Sequence, residues 1–349
     1  MDIVSAGFYI LSLMIVVYLG IMFILMYRQN PKPQAVTLPL LTSTVTHTSI
    51  GSRGDMGNQI FQIAATIAAA KRSGADAVFP SHLDSLPITQ LFDLSGLALR
   101  DVVPAAIFYE YENYEHIVIP PDGRNYDIRG YRQAYNYFED YADDIRRLFK
   151  PKGHILNAVR SVVPERYIAV HIRKGDYVKA MHAIPLLREF KKCSLEYYKA
   201  GIRKLRERYP RDAIMVCTDS PRWVATILHE LDSNIMLAPT VENISPKYTD
   251  FCVLYEAEAV VMSNSTYSWW ACYLRPYRNI ICPTPWWDPV GFVGTALGLH
   301  GPYLHHPDWY LADAESGNIV RYPHQDIHNV QETDGDTLNL YKLVRGIVL

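Results

Sequence analysis

Short apolar runs alternate with helix-spaced apolar residues through the second half of the chain. Five of the runs predict β-strands, at Arg166–Ile172, Ala213–Thr218, Asn234–Ala238, Ala259–Met262 and Asn279–Cys282. The segments between them have the spacing or length of helices, at Ser194–Tyr209, Arg222–Glu230, Tyr248–Ala257 and Thr266–Leu274. Strands that alternate with helices predict an α/β fold built on a parallel, doubly wound sheet.

The first half of the chain is less regular but also mixes the two patterns. Gly57–Arg72 predicts a helix that begins at glycines, and Tyr135–Phe149 predicts another helix. Asp76–Phe79 and Tyr126–Gly130 predict strands. A second, smaller α/β domain is therefore expected. Two such domains that face each other would leave a cleft, which is a favoured place for a ligand.

An almost unbroken apolar run lies near the N terminus, from Phe8 to Tyr27. A helix of about 20 residues spans the hydrocarbon core of a bilayer, so this run predicts a transmembrane anchor that contacts lipid. A cleaved signal peptide is the alternative, but the run is too long and Tyr27–Asn30 is a poor cleavage site. Arg28 and Lys32 follow the run, and the positive-inside rule would place the rest of the chain in the cytosol.

These patterns divide the chain into six segments. The stretch after the anchor is rich in Pro and Thr and predicts a short stem. The predicted order is an N-terminal tail (1–7), the anchor (8–27), the stem (28–49), an N-terminal α/β domain (50–160), a C-terminal α/β domain (161–315) and a C-terminal tail (316–349).

Composition narrows the class of protein. The chain has 349 residues and a formal net charge of −2, which argues against nucleic-acid binding, where a basic excess is usual. It has five cysteines and none of them form the paired spacing of a zinc site. We expect buried free thiols rather than a disulfide framework, with a single bridge left open.

Four segments place small polar or charged residues where a strand ends or a helix begins, which is where ligands bind in open α/β sheets. They are Gly54–Gln62, Val170–Tyr177, Cys217–Pro221 and Met262–Trp270. An arginine fork suits phosphate oxygens, and backbone N–H groups at a helix start favour anions. The alternatives are a surface turn with a salt bridge for Val170–Tyr177 and ordinary helix capping for the last two segments.

In combination, the motifs of this chain resemble those of the α-1,2-fucosyltransferases, glycosyltransferase family 11. The first motif, G-x-L-G-N-Q-x-F, is matched by Gly54, Gly57, Asn58, Gln59 and Phe61, with Met56 in place of Leu. The second, G-Y-x-Q followed by aromatic residues, is matched by Gly130, Tyr131, Gln133, Tyr137 and Phe138. The third, H-x-R-R-G-D-Y, is matched by His171, Arg173, Gly175, Asp176 and Tyr177, with Lys174 at the second arginine. The fourth, S-N-S-T-F-S-W-W, is matched by Ser263–Trp270, with Tyr267 in place of Phe.

The resemblance implies a GT-B-type glycosyltransferase, in which two Rossmann-like domains face a cleft. Its reaction would be inverting transfer of L-fucose from GDP-β-L-fucose to the 2-OH of a terminal β-galactoside on a glycan, without a metal ion. Residues 50–160 would then lie on the acceptor side and residues 161–315 would bind GDP-fucose. The family also implies a Golgi membrane protein with a lumenal catalytic domain, which conflicts with the charge bias of Arg28 and Lys32.

The resemblance also implies roles for single residues. Arg173 would neutralise the β-phosphate of the leaving GDP, and His171 and Asp219 would contact guanine. Ser265 and Thr266 would touch phosphate or ribose. Asn58, Gln59 and Lys174 complete the predicted set of GDP-fucose-binding residues.

Catalysis needs a group that removes the acceptor hydroxyl proton. Asp176 is the candidate base, although it could equally hold Arg173 through a salt bridge, and His171 is the alternative. Asp334–Asp336 has the Asp-x-Asp form of metal-dependent glycosyltransferases, but it lies in a polar C-terminal stretch and is interpreted as a loop.

Two alternative functions stay open. One is fucosyl transfer with another linkage or acceptor, and the other is an inactive, membrane-tethered carbohydrate-binding protein. Retention of His171, Arg173 and Asp176 argues against the second.

Overall fold

The computed structural model describes residues 17–19, 21, 42–52, 54–108, 116–174, 193–286 and 304–323. The chain divides into two compact units, Met1–Leu41 and Thr42–Leu349, and every strand among the described residues belongs to the second. Within the described residues, no helix is both long and apolar enough to cross a membrane. Most of the predicted anchor, residues 8–27, lies outside the described residues, so the anchor stays a prediction.

The first half of the second unit forms a five-stranded parallel sheet with the order β3-β2-β1-β5-β4. Its strands are β1 (Thr44–Thr46), β2 (Asp76–Phe79), β3 (Ala98–Leu99), β4 (Ala106–Phe108) and β5 (Asn125–Ile128). Strand β1 is the central strand and is buried along its whole length. The predicted stem (28–49) is therefore wrong at its end, because residues 44–46 belong to the core of this sheet.

The second half forms a seven-stranded sheet with the order β12-β11-β10-β9-β6-β7-β8. Its strands are β6 (Tyr167–Ile172), β7 (Ala213–Thr218), β8 (Ile235–Leu237), β9 (Ala259–Val261), β10 (Asn279–Thr284), β11 (Tyr310–Asp313) and β12 (Ile319–Arg321). All neighbours are parallel except β11 and β12. The predicted α/β class with parallel sheets is confirmed. The predicted C-terminal tail (316–349) is wrong at its start, because β12 pairs with β11 there.

Eight α-helices lie in the described part of the second unit. They are α1 (Met56–Ser73), α2 (Ile88–Leu91), α3 (Ala142–Leu148), α4 (Gly153–Arg160), α5 (Leu195–Arg206), α6 (Pro221–Leu231), α7 (Pro246–Glu256) and α8 (Thr266–Tyr273). The longest, α1, begins where the Asp55 side chain accepts a hydrogen bond from the Met56 N–H at 2.8 Å. It ends at Gly74, whose φ of +62° suits glycine and closes the helix.

The helix predicted at Tyr135–Phe149 is only half correct. Two short 3₁₀ turns, Tyr135–Tyr137 and Glu139–Tyr141, precede α3. Phe138 lies between the turns with a φ of −137°, outside the helical region, and its buried ring stacks on Trp270 at 5.2 Å between ring centroids. Packing of this ring therefore overrides the local helical pattern.

One hydrophobic core extends across both halves of the second unit. The ring of Phe61 in α1 lies 4.7 Å from both Trp269 and Trp270 in α8. Thr42–Leu349 forms one compact unit, so the boundary predicted near residue 160 stays a prediction. All five cysteines are free, and four of them are buried, which confirms the expectation of free thiols.

Candidate functional site

The first and fourth sequence motifs meet where α1 and α8 begin. A Cβ atom on Gly57 would lie 2.6 Å from both the backbone carbonyl carbon and the Oγ1 of Thr266. Such distances are far inside van der Waals contact, so only glycine allows the two helix starts to approach this closely. The N–H groups of both helix starts, which favour anions, are thereby brought side by side.

The second motif contacts the first through a side-chain amide pair. Gln133 Nε2 donates a hydrogen bond to Asn58 Oδ1 at 2.6 Å. Asn58 is half-buried, whereas Gln59 is only 6% exposed, and its Oε1 has no hydrogen-bond partner among the described residues. Asn58 therefore lies nearer the surface of the site than Gln59. Gln133 belongs to the second motif but was not predicted as a site residue.

The third motif brings Arg173 to the carboxyl end of β6, beside the end of β7. Arg173 Nε lies 3.3 Å from Asp219 Oδ2, and both side chains are about one quarter exposed, at 28% and 25%. Asp219 Oδ1 accepts a hydrogen bond from the Lys174 N–H at 2.9 Å. Asp219 thus contacts both the side chain of Arg173 and the backbone that follows it. The predicted guanine contact of Asp219 stays a prediction.

Lys174 packs on an aromatic residue at the start of α6. Its Nζ lies 3.2 Å from the ring centroid of Trp223, which is a close cation–π contact. Trp223 is 40% exposed. Trp223 was not predicted as a site residue, although it is the third residue of the helix that follows Asp219.

An ion pair between distant parts of the chain borders the start of α1. Lys247 Nζ lies 2.6 Å from Asp55 Oδ1. Burial alone would raise the pKa of Asp55. The pKa is nevertheless lower than its usual value, because Lys247 donates a hydrogen bond and adds positive charge, the Met56 N–H donates a second hydrogen bond, and Arg173 adds further positive charge. Asp55 is therefore ionised at neutral pH and shares its surroundings with two cations.

His171 is buried at the end of β6 and is bonded to the fourth motif. Its Nδ1 lies 2.8 Å from Ser263 Oγ, and the residue is 4% exposed. Burial, together with the positive charge of Arg173, lowers the pKa of His171 to about 3. The ring is consequently neutral at physiological pH and is a poor proton acceptor.

The remaining predicted residues fall in different places. Ser265 precedes α8 and is buried, and Thr266 is its first residue and is half-buried. Asp176 lies outside the described residues, as does the Asp334–Asp336 segment. Within the described ranges, no group of three or more His, Cys, Asp or Glu side chains is arranged to hold a metal ion.

The site as a whole is suited to a multiply charged anion. Arg173 and Lys247 both lower the pKa of Asp55 at the start of α1, while Asp219 and Lys174 lie just beyond the ends of β7 and β6. The N–H groups at the two helix starts carry partial positive charge and add to that of the cations. A diphosphate fits this combination.

Comparison with known protein families and sequences gives the following matches. The family described as "Glycosyl transferase family 11" matches residues 21–287. An Alpha-1,2-colitosyltransferase of Escherichia coli is 27% identical over 185 residues, which are 52% of this chain and 62% of that protein. The Galactoside 2-alpha-L-fucosyltransferase SEC1 of Bos taurus is 22% identical over 65% of this chain and 64% of its own length. The chain thus spans less than two thirds of both relatives.

A third relative and two solved structures extend the comparison. The Galactoside alpha-(1,2)-fucosyltransferase 2 of Bos taurus is 23% identical over 72% of this chain and 73% of its own length. The crystal structure of NodZ alpha-1,6-fucosyltransferase soaked with GDP-fucose has a TM-score of 0.42 and 15% identity, covering 67% of this chain and 93% of that chain. The structure of POFUT1 in complex with GDP has a TM-score of 0.43 and 14% identity, covering 70% and 99%.

Proposed function

The chain belongs to glycosyl transferase family 11, and on that basis we propose that it transfers L-fucose from GDP-β-L-fucose to the 2-OH of a terminal β-galactoside. The acceptor hydroxyl attacks the anomeric carbon from the face opposite GDP, so the configuration inverts and an α-1,2 linkage forms. The names of the two bovine relatives support the linkage and the acceptor class.

The observation that carries this proposal is the placement of Arg173. GDP departs as an anion, and its charge develops on the β-phosphate oxygens. Arg173 stands at the carboxyl end of β6, paired with Asp219, and its charge helps to lower the pKa of Asp55 at the start of α1. Because Asp219 restrains the guanidinium before the donor binds, little reorganisation is needed when the charge develops.

The acceptor hydroxyl must lose its proton as the new bond forms. His171 fits this role poorly, because its pKa is lowered to about 3 by burial and by Arg173. We therefore favour Asp176, the other candidate, as the general base. Asp219 lies 3.3 Å from Arg173 Nε, and a salt bridge between Asp176 and Arg173 stays the alternative role of Asp176.

We also propose that the two sheets form a GT-B-type arrangement, with the donor held by the seven-stranded sheet. The carboxyl ends of β6, β7 and β9 carry Arg173, Asp219 and Ser263, respectively. Ligands of open α/β sheets bind beyond the carboxyl ends of the strands, which supports this placement.

The colitosyltransferase relative raises a second candidate, in which the transferred sugar is colitose. GDP release measured with GDP-fucose and lactose, and then with nucleotide-activated colitose, distinguishes the two donors. We expect faster release with GDP-fucose. Turnover with activated colitose alone would replace the fucose assignment, whereas binding of GDP-fucose without turnover would indicate a carbohydrate-binding protein.

Activity is proposed to be independent of metal ions. Arg173 and Lys247 can supply the positive charge that a divalent cation provides in other glycosyltransferases. Turnover in excess EDTA should therefore equal turnover without it. A large loss of rate that manganese or magnesium restores would contradict this expectation.

The anchor and the cellular location are also proposals. We propose a single-pass Golgi membrane protein, anchored through residues 8–27, with a lumenal catalytic unit, because galactoside acceptors lie on the secretory route. Protease treatment of sealed microsomes should leave the unit that begins at Thr42 intact until detergent is added. Digestion without detergent would support the cytosolic orientation indicated by Arg28 and Lys32.

A further inference from the structure

Trp223 presents an exposed ring beside the ends of β6 and β7. Tryptophan is highly buried on average, yet this side chain is 40% exposed. Val224 and Leu231 are the buried residues of α6, so these two aliphatic side chains attach the helix to the core. The Trp223 ring is therefore available for a contact at the edge of the sheet.

The Lys174 ammonium occupies one face of this ring. Its Nζ lies 3.2 Å from the ring centroid, well inside the limit of about 6 Å for a cation–π contact. Lysine carries its charge on a flexible aliphatic chain, which loses considerable rotamer freedom when it is fixed. Contact with Trp223 thus helps to restrain the charge of a flexible side chain.

The segment that carries Trp223 also fixes the backbone of Lys174. Asp219, which precedes α6, accepts the Lys174 N–H on Oδ1 at 2.9 Å. Its other oxygen, Oδ2, lies 3.3 Å from Nε of Arg173. Both cations of the third motif therefore contact the segment Asp219–Trp223, which leads from β7 into α6. Because one segment contacts both residues, it sets where the two positive charges lie relative to each other.

We propose that Trp223 is a positioning residue, which holds the Lys174 ammonium in place as a second cation for the diphosphate of GDP-fucose. The proposal rests on the function proposed above. The diphosphate carries negative charge before the reaction begins, so a cation beside it strengthens binding of the donor. Fixing that cation in advance removes part of the entropy cost of binding. Trp223 should therefore affect the affinity for the donor more than the rate of transfer.

A double-mutant cycle on GDP affinity, measured by titration calorimetry, tests this role. Trp223→Leu should weaken GDP binding about 5-fold, the usual scale of a partly exposed cation–π contact. With Lys174→Met in place there is no ammonium to hold, so Trp223→Leu should then have no further effect. A merely structural role for Trp223 would weaken binding by the same factor in both backgrounds and would overturn the proposal.

Two further variants sharpen the cycle. Trp223→Phe keeps an aromatic face and should retain most of the GDP affinity. Arg222→Met is the matched control, because it removes a neighbouring exposed charge, and its effect should be the same with tryptophan or leucine at position 223. With GDP-fucose as substrate, the loss in Trp223→Leu should appear in KM rather than in kcat. A loss confined to kcat would contradict a role in donor binding.

The placement of the ammonium is tested without any ligand by NMR of protein labelled with ¹³C at the lysine ε-carbon. The Lys174 signal is identified by its absence from Lys174→Met. The ring current of Trp223 should shift this signal upfield, and Trp223→Leu should remove the shift. An ordinary shift in the wild type would overturn the placement. Failure of the wild type to bind GDP would instead contradict the proposed function, and with it a role in donor binding, even where the upfield shift is observed.

Discussion

Arg173→Lys is expected to lower kcat by about 100- to 1,000-fold, the usual loss when a preorganised donor to a developing anion is removed. Lysine keeps the positive charge but loses the planar, two-point guanidinium fork that matches phosphate oxygens. It also loses the Nε that lies 3.3 Å from Asp219, so the replacement ammonium is no longer restrained in the same way. The measurement is kcat with GDP-fucose and a galactoside acceptor.

Lys174→Arg is the matched control for this change. The backbone N–H of residue 174 reaches Asp219 whichever side chain is present, and arginine stacks on an aromatic face at least as well as lysine. We therefore expect near-normal turnover from Lys174→Arg. Near-normal turnover from a folded Arg173→Lys enzyme would show that Arg173 is not the residue that stabilises the leaving group.

Gly57→Ala is expected to cost on the order of 100-fold in kcat, which is the scale of a displacement of about 1 Å in an active site. The added methyl would meet backbone atoms of Thr266 at 2.6 Å and of Tyr267 at 2.8 Å. Backbone in a helix start cannot rotate away, so α1 and α8 must separate. Overpacking of this kind also lowers the free energy of unfolding by about 1–3 kcal/mol.

Gly153→Ala provides the control, since Gly153 is also at a helix start but has no atom within 4 Å of an added Cβ. Alanine should leave activity unchanged there and should keep or raise stability. Thermal melting and kcat of both variants are the measurements. If Gly57→Ala retained full activity, the close approach of the two helix starts would not matter to the site.

The sequence predicted β6, β7, β9 and β10 well because these strands are buried along most of their length. Such strands are near-continuous apolar runs, and Tyr167–Ile172 is buried at all six positions. Strand β1 was not predicted, although it too is buried along its whole length. It has three residues, Thr-Val-Thr, and a segment this short has no period to detect; only its pairing with β2 and β5 makes it central.

Motif residues of the site were predictable, but their contacts were not. Gln133 and Asn58 are 75 residues apart, and Lys247 and Asp55 are 192 apart, so nothing local in the sequence connects them. Trp269 and Trp270 also belong to a motif, but they do not line the site. Both are fully buried and pack against Phe61 in the core. A motif therefore mixes residues that contact ligand with residues that shape the fold.

The most direct test of the central claim is the NMR structure of the product formed from GDP-β-L-fucose and lactose. The proposed mechanism predicts a single product in which fucose is α-linked to O-2 of galactose, formed together with one GDP per linkage. A β-linked fucose would contradict inversion, and attachment at another oxygen would contradict the linkage. GDP-fucose that stays intact with the folded protein and acceptor would contradict transferase activity itself.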